Sequence, residues 1–241
     1  MQKAISITDR LAGMVIATAL MVVGVGFMVL GVSFLPVIGI LVGIPVLGLA
    51  WNFMKPGAMV NERIAGFVVP RNVMFHPGHA WARAERNDIV TVGMDDFAVK
   101  LLGSAESISL PAEGSRVLQG STGWLMKSDS RDIPMLCPVE GRIVAINKAV
   151  VDSPSLAFSD PYGKGWMFKV VQDSPDADQE NMVPTAEVSG WFEGIRENIS
   201  TRRQGQAGML YQDGGEPVSG LARVIDPRKW DEVAREFLLT G

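Results

Sequence analysis

Hydrophobic positions follow two regimes along this chain. From Leu11 to Met54 no charged side chain interrupts them, whereas beyond residue 60 they alternate with polar residues in short bursts. As a helix, that first run of about 44 residues would measure roughly 66 Å, about twice the hydrocarbon core of a bilayer. Ser33-Phe34-Leu35-Pro36 supplies a break, because proline removes a backbone donor and disfavours helical geometry in the residue before it. The pattern predicts a two-helix transmembrane hairpin over residues 11–54, with helices near Leu11–Val32 and Val37–Phe53, behind a short stub of residues 1–10. Lys3 and Arg10 precede the hairpin, Lys55, Arg63 and Arg71 follow it, and the turn is uncharged. The positive-inside bias then gives a multi-pass protein of the inner (cytoplasmic) membrane, with the following domain facing the cytoplasm. The run is too long for a cleaved signal peptide. Gly13, Ala17, Gly24 and Gly31 recur at near-helical spacing, which suits close packing of the two helices or docking onto a larger membrane complex.

Residues 55–73, with Pro56-Gly57 and Pro70, read as a linker. The next region, residues 74–200, is punctuated like a β domain. Ile89–Gly93 is a β-branched run ending in glycine, and Asp95–Gly103 has apolar positions at helical spacing. Asp95 and Asp96 would sit at the positive end of that short helix, which is capping chemistry rather than catalysis. Ala105–Leu110 alternates, Glu113-Gly114 turns, and Trp124–Met126 and Met135–Cys137 read as two arms of a hairpin with a polar tip over residues 127–134. Arg142–Ile146 alternates again. Many short strands and one short helix predict a mainly β fold, a small flattened barrel or sandwich.

Further on, Gln172–Pro184 is acidic, and Glu187–Ile199 predicts an amphipathic helix carrying Trp191, Phe192 and Ile195. In the last segment, residues 201–241, Ala207–Tyr211 and Pro217–Val224 flank the glycine turn Asp213–Glu216 and suggest a hairpin. Asp226-Pro227 then suggests an N-cap and first helical residue. Trp230, Val233, Ala234, Phe237 and Leu238 would form one stripe of that helix. Such a stripe serves an internal contact or a partner subunit. Asp231, Glu232 and Glu236 make anionic lipid a poor target.

Composition narrows the chemistry. The 241 residues are 47% hydrophobic and 20% charged, with a net charge of −4 and no basic cluster interleaved with aromatics, so nucleic acid is not an expected partner. No glycine-rich loop stands between a strand and a helix, so neither is a nucleotide. Cys137 is the sole cysteine, which excludes an intrachain disulfide, and it reads as a buried apolar residue. His76 and His79 lack cysteine or carboxylate neighbours of metal-ligand spacing. A triad assembled from Ser128 or Ser130, His79 and an aspartate has no nucleophile-elbow motif behind it.

One order of segments is specific. Thr91-Val92-Gly93-Met94-Asp95-Asp96-Phe97-Ala98 is followed by Gly103, Ser109-Leu110-Pro111, Pro138-Val139-Glu140-Gly141-Arg142-Ile143 and Asn147. Asp152-Ser153-Pro154-Ser155-Leu156 then runs into Ser159-Asp160-Pro161-Tyr162-Gly163-Lys164-Gly165-Trp166. This order resembles the H-protein family of the glycine cleavage system, over less than half of the chain. The resemblance implies the barrel-sandwich hybrid (hammerhead) of lipoyl and biotinyl domains, with lipoate carried in amide linkage on a lysine at a hairpin tip. Counted back without a gap from Cys137-Pro138-Val139-Glu140-Gly141, that position is Ser130, whose hydroxymethyl group cannot form the amide. Lys127 stands where the family usually has an acidic residue. It could serve only if three residues moved from one arm to the other, an odd shift that reverses the face.

These readings converge on a non-catalytic, membrane-anchored accessory or scaffold subunit with a degenerate H-protein-like domain and no cofactor. Its expected partners are other subunits of a membrane complex and membrane lipid, and Trp230, Val233, Phe237, Gly24 and Gly31 are the candidate contacts. Two alternatives stay open. One is a working lipoyl carrier modified at Lys127 and serving a membrane-bound redox or one-carbon system. The other is a periplasmic adaptor of an export system, although no heptad run is present.

Overall fold

The computed structural model describes residues 13–23, 61–86, 88–202, 210–211 and 215–241. The chain divides into two units, Met1–Ala58 and Met59–Gly241. In the first, the described residues 13–23 are helical, helix α1. Among the described residues no helix is long and apolar enough to cross a membrane. The expected transmembrane hairpin is corrected accordingly, and with it the multi-pass inner-membrane location. The rest of the apolar run, including Gly24 and Gly31, lies outside the described residues.

The second unit is mainly β with flanking helices. Strands β1 (Asn61–Ile64) and β2 (Phe67–Pro70) form an antiparallel hairpin within the segment read as a linker. A six-stranded antiparallel sheet contains β3 (Met74–Phe75), β4 (Ala80–Ala84), β5 (Ile89–Met94), β7 (Arg116–Val117), β10 (Gly141–Ile146) and β11 (Phe168–Gln172), in the order β3-β4-β5-β11-β10-β7. A second sheet, ordered β6-β8-β9, holds β6 (Ser107–Ser109), β8 (Thr122–Ser128) and β9 (Arg131–Leu136). Side chains of a strand alternate between faces. In β8, Trp124 and Met126 are buried while Leu125 and Lys127 are exposed. Trp124 meets Phe168 of the other sheet edge-on, with ring centroids 5.8 Å apart, so the core lies between the sheets. Helix α2 (Asp96–Leu102) follows β5. Asp95 caps it by accepting from the Ala98 amide at 2.8 Å, and Gly103 at φ 80° ends it.

The long string that carries the resemblance is held by hydrogen bonds that side chains make to its backbone. Short helices α3 (Lys148–Asp152) and α4 (Ser155–Ser159) lead into it. The Asp160 carboxylate accepts from the Lys164 amide at 2.8 Å, and its carbonyl accepts from Gly165 at 2.8 Å. A Cβ at Gly165 would stand 2.7 Å from that carbonyl oxygen, so only glycine fits. Asn147 completes the arrangement by donating to the carbonyls of Lys164 and Trp166.

Helix α5 (Pro175–Glu180) lies in the acidic stretch, and α6 (Val188–Arg202) matches the predicted amphipathic helix, with Phe192, Ile195 and Ile199 buried. The C-terminal segment differs from expectation. Tyr211 and Pro217 make one isolated bridge, and Leu221–Ile225 is helix α7, not a strand. Leu221 and Ala222 are both fully buried, which neighbouring residues of a one-faced strand are not. Helix α8 (Trp230–Phe237) starts later than Pro227, because the Asp226 carboxylate caps a turn by accepting from the amides of Arg228 and Lys229.

Candidate functional site

The β8–β9 hairpin is tighter than its sequence suggests. Ser128 pairs with Arg131 and Lys127 with Asp132, leaving a turn of two residues, Asp129 and Ser130. A two-residue hairpin loop of this kind needs left-handed backbone at both positions. Asp129 has φ 46° and Ser130 φ 61°. Both are exposed, and they put a carboxylate and a hydroxyl at the tip. Lys127 is exposed too, but it sits in the central strand of its sheet, opposite Ser107 on one side and Asp132 on the other.

Residues far along the chain converge on this tip. Arg223 of α7 donates through Nε and Nη2 to Asp129 at 2.9 and 2.7 Å, and through Nη2 to the Ser128 hydroxyl at 2.7 Å. Its Nη1 donates to the Leu102 carbonyl at the end of α2, also at 2.7 Å. The same guanidinium lies 4.0 Å from the centre of the Trp230 ring, near which Arg131 also lies at 5.8 Å. Such cation–π placement is attractive in itself. Arg131 is ion-paired with Asp231, and Arg235 donates to the Asp132 carbonyl. The forked guanidinium suits a site where several acceptors converge. Ser128 is buried against these groups.

The remaining candidates are placed as follows. His79 is buried, with φ 63°, its Nδ1 2.8 Å from Asp95 and its ring stacked on Trp191 at 4.8 Å. His76 accepts from the Gly78 amide, and burial holds its imidazole below the ordinary value. Ser130 is an exposed turn residue on the other sheet, so these residues form no relay in the described structure. Burial pushes the Cys137 thiol up to about 12, and its sulfur donates to the Val139 carbonyl. Among the described residues no cluster of three histidines, cysteines or carboxylates could hold a metal. Trp230 and Val233 are buried against the chain's own domain, and the half-buried Phe237 ring stands 5.4 Å from Phe97. Sequence reasoning missed Arg223. Its acceptor Asp129 is 94 residues away, and no local pattern marks such a pair.

Comparison with known proteins gives this geometry a context. The Glycine cleavage H-protein family model matches residues 73–192. The chain is 38% identical over 103 residues to the glycine cleavage system H protein of Carboxydothermus hydrogenoformans, covering 43% of this chain and 78% of that protein. The chain belongs to the glycine cleavage H-protein family. A probable H protein of Aeropyrum pernix is 31% identical over 130 residues, covering 53% of this chain and 90% of the relative. A crystal structure of the Mycobacterium marinum H protein aligns with a TM-score of 0.46 at 28% identity, over 51% of this chain and 97% of that one. The family match ends inside α6, so α7 and α8, which supply Arg223, Asp231 and Arg235 to the hairpin tip, lie beyond it.

Proposed function

We propose that this chain is a non-catalytic H-protein-like subunit that acts through protein contacts and carries no lipoate. One observation carries the reading: the position to which the family resemblance assigns the carrier lysine is Ser130, at the tip of a two-residue turn. Amide attachment needs a primary amine, and neither Asp129 nor Ser130 supplies one. Lys127 is a poor substitute. It lies within a strand paired on both sides, where an arm would leave from the sheet face rather than from a projecting turn. The residues at the turn therefore do not fit the group the family implies. What remains is a β scaffold with a C-terminal addition, the form expected of an accessory or scaffold subunit within a larger assembly.

Native mass spectrometry of the chain, purified from its own cells under mild conditions, tests the proposal. A partner held at fixed stoichiometry is the expected result, with the chain's intact mass free of a lipoyl adduct. A chain that always runs alone would remove the accessory role. A lipoyl adduct mapped to Lys127 would replace it with a carrier.

A further inference from the structure

The fastening of the hairpin tip deepens this picture, and it stands or falls independently of any partner. In a swinging-arm carrier the tip must project into solvent so that an attaching enzyme can surround it. Here Ser128, Asp129, Arg131 and Asp132 are all engaged by residues of α7 and α8. The engaging segment is anchored in turn to the barrel. The Gly220 amide donates to the Lys100 carbonyl at 2.8 Å, and Lys100 pairs with Glu216 at 2.8 Å. Arg202 of α6 pairs with Glu236 of α8, and its guanidinium lies 4.8 Å from the Phe237 ring centre. Leu221, Ala222 and Ala234 are fully buried beneath. The contact is thus a built interface with an apolar floor and a charged rim, laid against the flanks of the turn to which the resemblance assigns the cargo, while Asp129 and Ser130 themselves stay exposed.

We propose that the C-terminal segment from Gly215 to Gly241 is a built-in clasp that pins the flanks of the hairpin tip and so bars any enzyme or partner that must surround the exposed turn. The loss of the amine and the pinning of the hairpin are then two separate barriers, and restoring the first would not lift the second. A ligand that requires an open tip sees only the fraction of molecules in which the clasp has let go.

The test restores the amine with and without the clasp. Purified full chain bearing Ser130→Lys is incubated with a lipoate–protein ligase, lipoate and ATP, and compared with the same chain also bearing Arg223→Gln and Asp231→Asn. Peptide mapping locates any adduct on residue 130. The expected result is slow or absent modification in the clasped chain and a rate at least about tenfold higher in the loosened one. Equal rates in the two backgrounds would overturn the clasp, and so would no adduct in either, because something other than α7 and α8 would then bar the turn. Hydrogen exchange of the peptide spanning residues 127–132 in the otherwise native chain gives a second reading. Arg223→Gln should speed it, and unchanged exchange in a variant that still melts cooperatively counts against the clasp. Neither result bears on whether the chain joins a larger assembly, which native mass decides.

Discussion

Tyr162 and Asp96 show how single residues of the family string hold the β1–β2 hairpin to the barrel. The Tyr162 hydroxyl donates to the Val68 carbonyl at 2.8 Å and accepts from the Asp96 amide at 2.9 Å, while the Asp96 carboxylate accepts from the Val68 amide at 2.8 Å. Replacing Tyr162 with Phe leaves buried backbone groups unpaired and should cost about 1–3 kcal/mol in urea unfolding. A loss near zero would mean that water takes the hydroxyl's place. Burial pushes the Asp96 carboxyl above the ordinary range, opposed first by its bond from Val68 and then by Lys100. A raised value in the folded state means that its stabilising contribution is complete while the group is protonated, below the ordinary carboxylate value, and declines as pH rises through the elevated one. Asp96→Asn imitates the protonated form and can still accept from Val68. Its melting temperature should match the native chain in acid and exceed it progressively as pH climbs towards neutrality. A native chain that gains on the variant over the same range would contradict the assignment.

At the scale of elements, the β8–β9 hairpin turns through two left-handed residues, and serine carries a Cβ that this backbone disfavours. Ser130→Gly gives the Asp-Gly pair that such turns prefer and should stabilise the domain by about 0.5–1 kcal/mol in chemical denaturation. A destabilised variant would show that the serine hydroxyl makes a contact worth more than the strain. The same hairpin shows where local pattern stops being informative. Trp124 and Met135 were legible as strand residues because their neighbours alternate in polarity. Lys127, Ser128, Arg131 and Asp132 are polar throughout and carry no strand signal, yet they complete the ladder down to the turn. Helix α2 was legible from its caps, Asp95 and Gly103, which sit within a few residues of its apolar face. Helix α7 was not, since it is five residues long and is held by Gly220 bonding to Lys100, a contact 120 positions away. Ser130 as the cargo position came from counting along a family string. The grip of Arg223 on its neighbour Asp129 came only from the fold.

For the molecule as a whole, the question is whether the C-terminal helices form one cooperative body with the barrel or an appendage that can leave alone. Met59–Gly241 is a single compact unit. The ties between its parts are of unlike kinds: Phe97 against Phe237, the Gly220 amide on the Lys100 carbonyl, Arg223 on the Leu102 carbonyl, and Arg202 with Glu236. The exposed ion pair among them contributes little. The weight falls on the buried apolar contacts of Leu221, Ala222, Trp230, Ala234 and Leu238, all 4% exposed or less. Losing that floor would uncover Phe97 of α2 to water, at a cost that scales with the apolar area exposed. Local opening of α7 and α8 is therefore expected to approach the global unfolding free energy rather than the low end typical of frayed termini. A fragment of residues 59–241 should accordingly melt in one transition, followed equally by Trp fluorescence and by far-ultraviolet circular dichroism. In native-state exchange, the amides of α8 should report a free energy within about 1–2 kcal/mol of the slowest barrel amides. An early separate transition, with α8 exchanging at the rate of an open chain, would show the segment to be loosely held. The flanks of the turn at Ser128 and Asp132 would then be free of the clasp for most of the time.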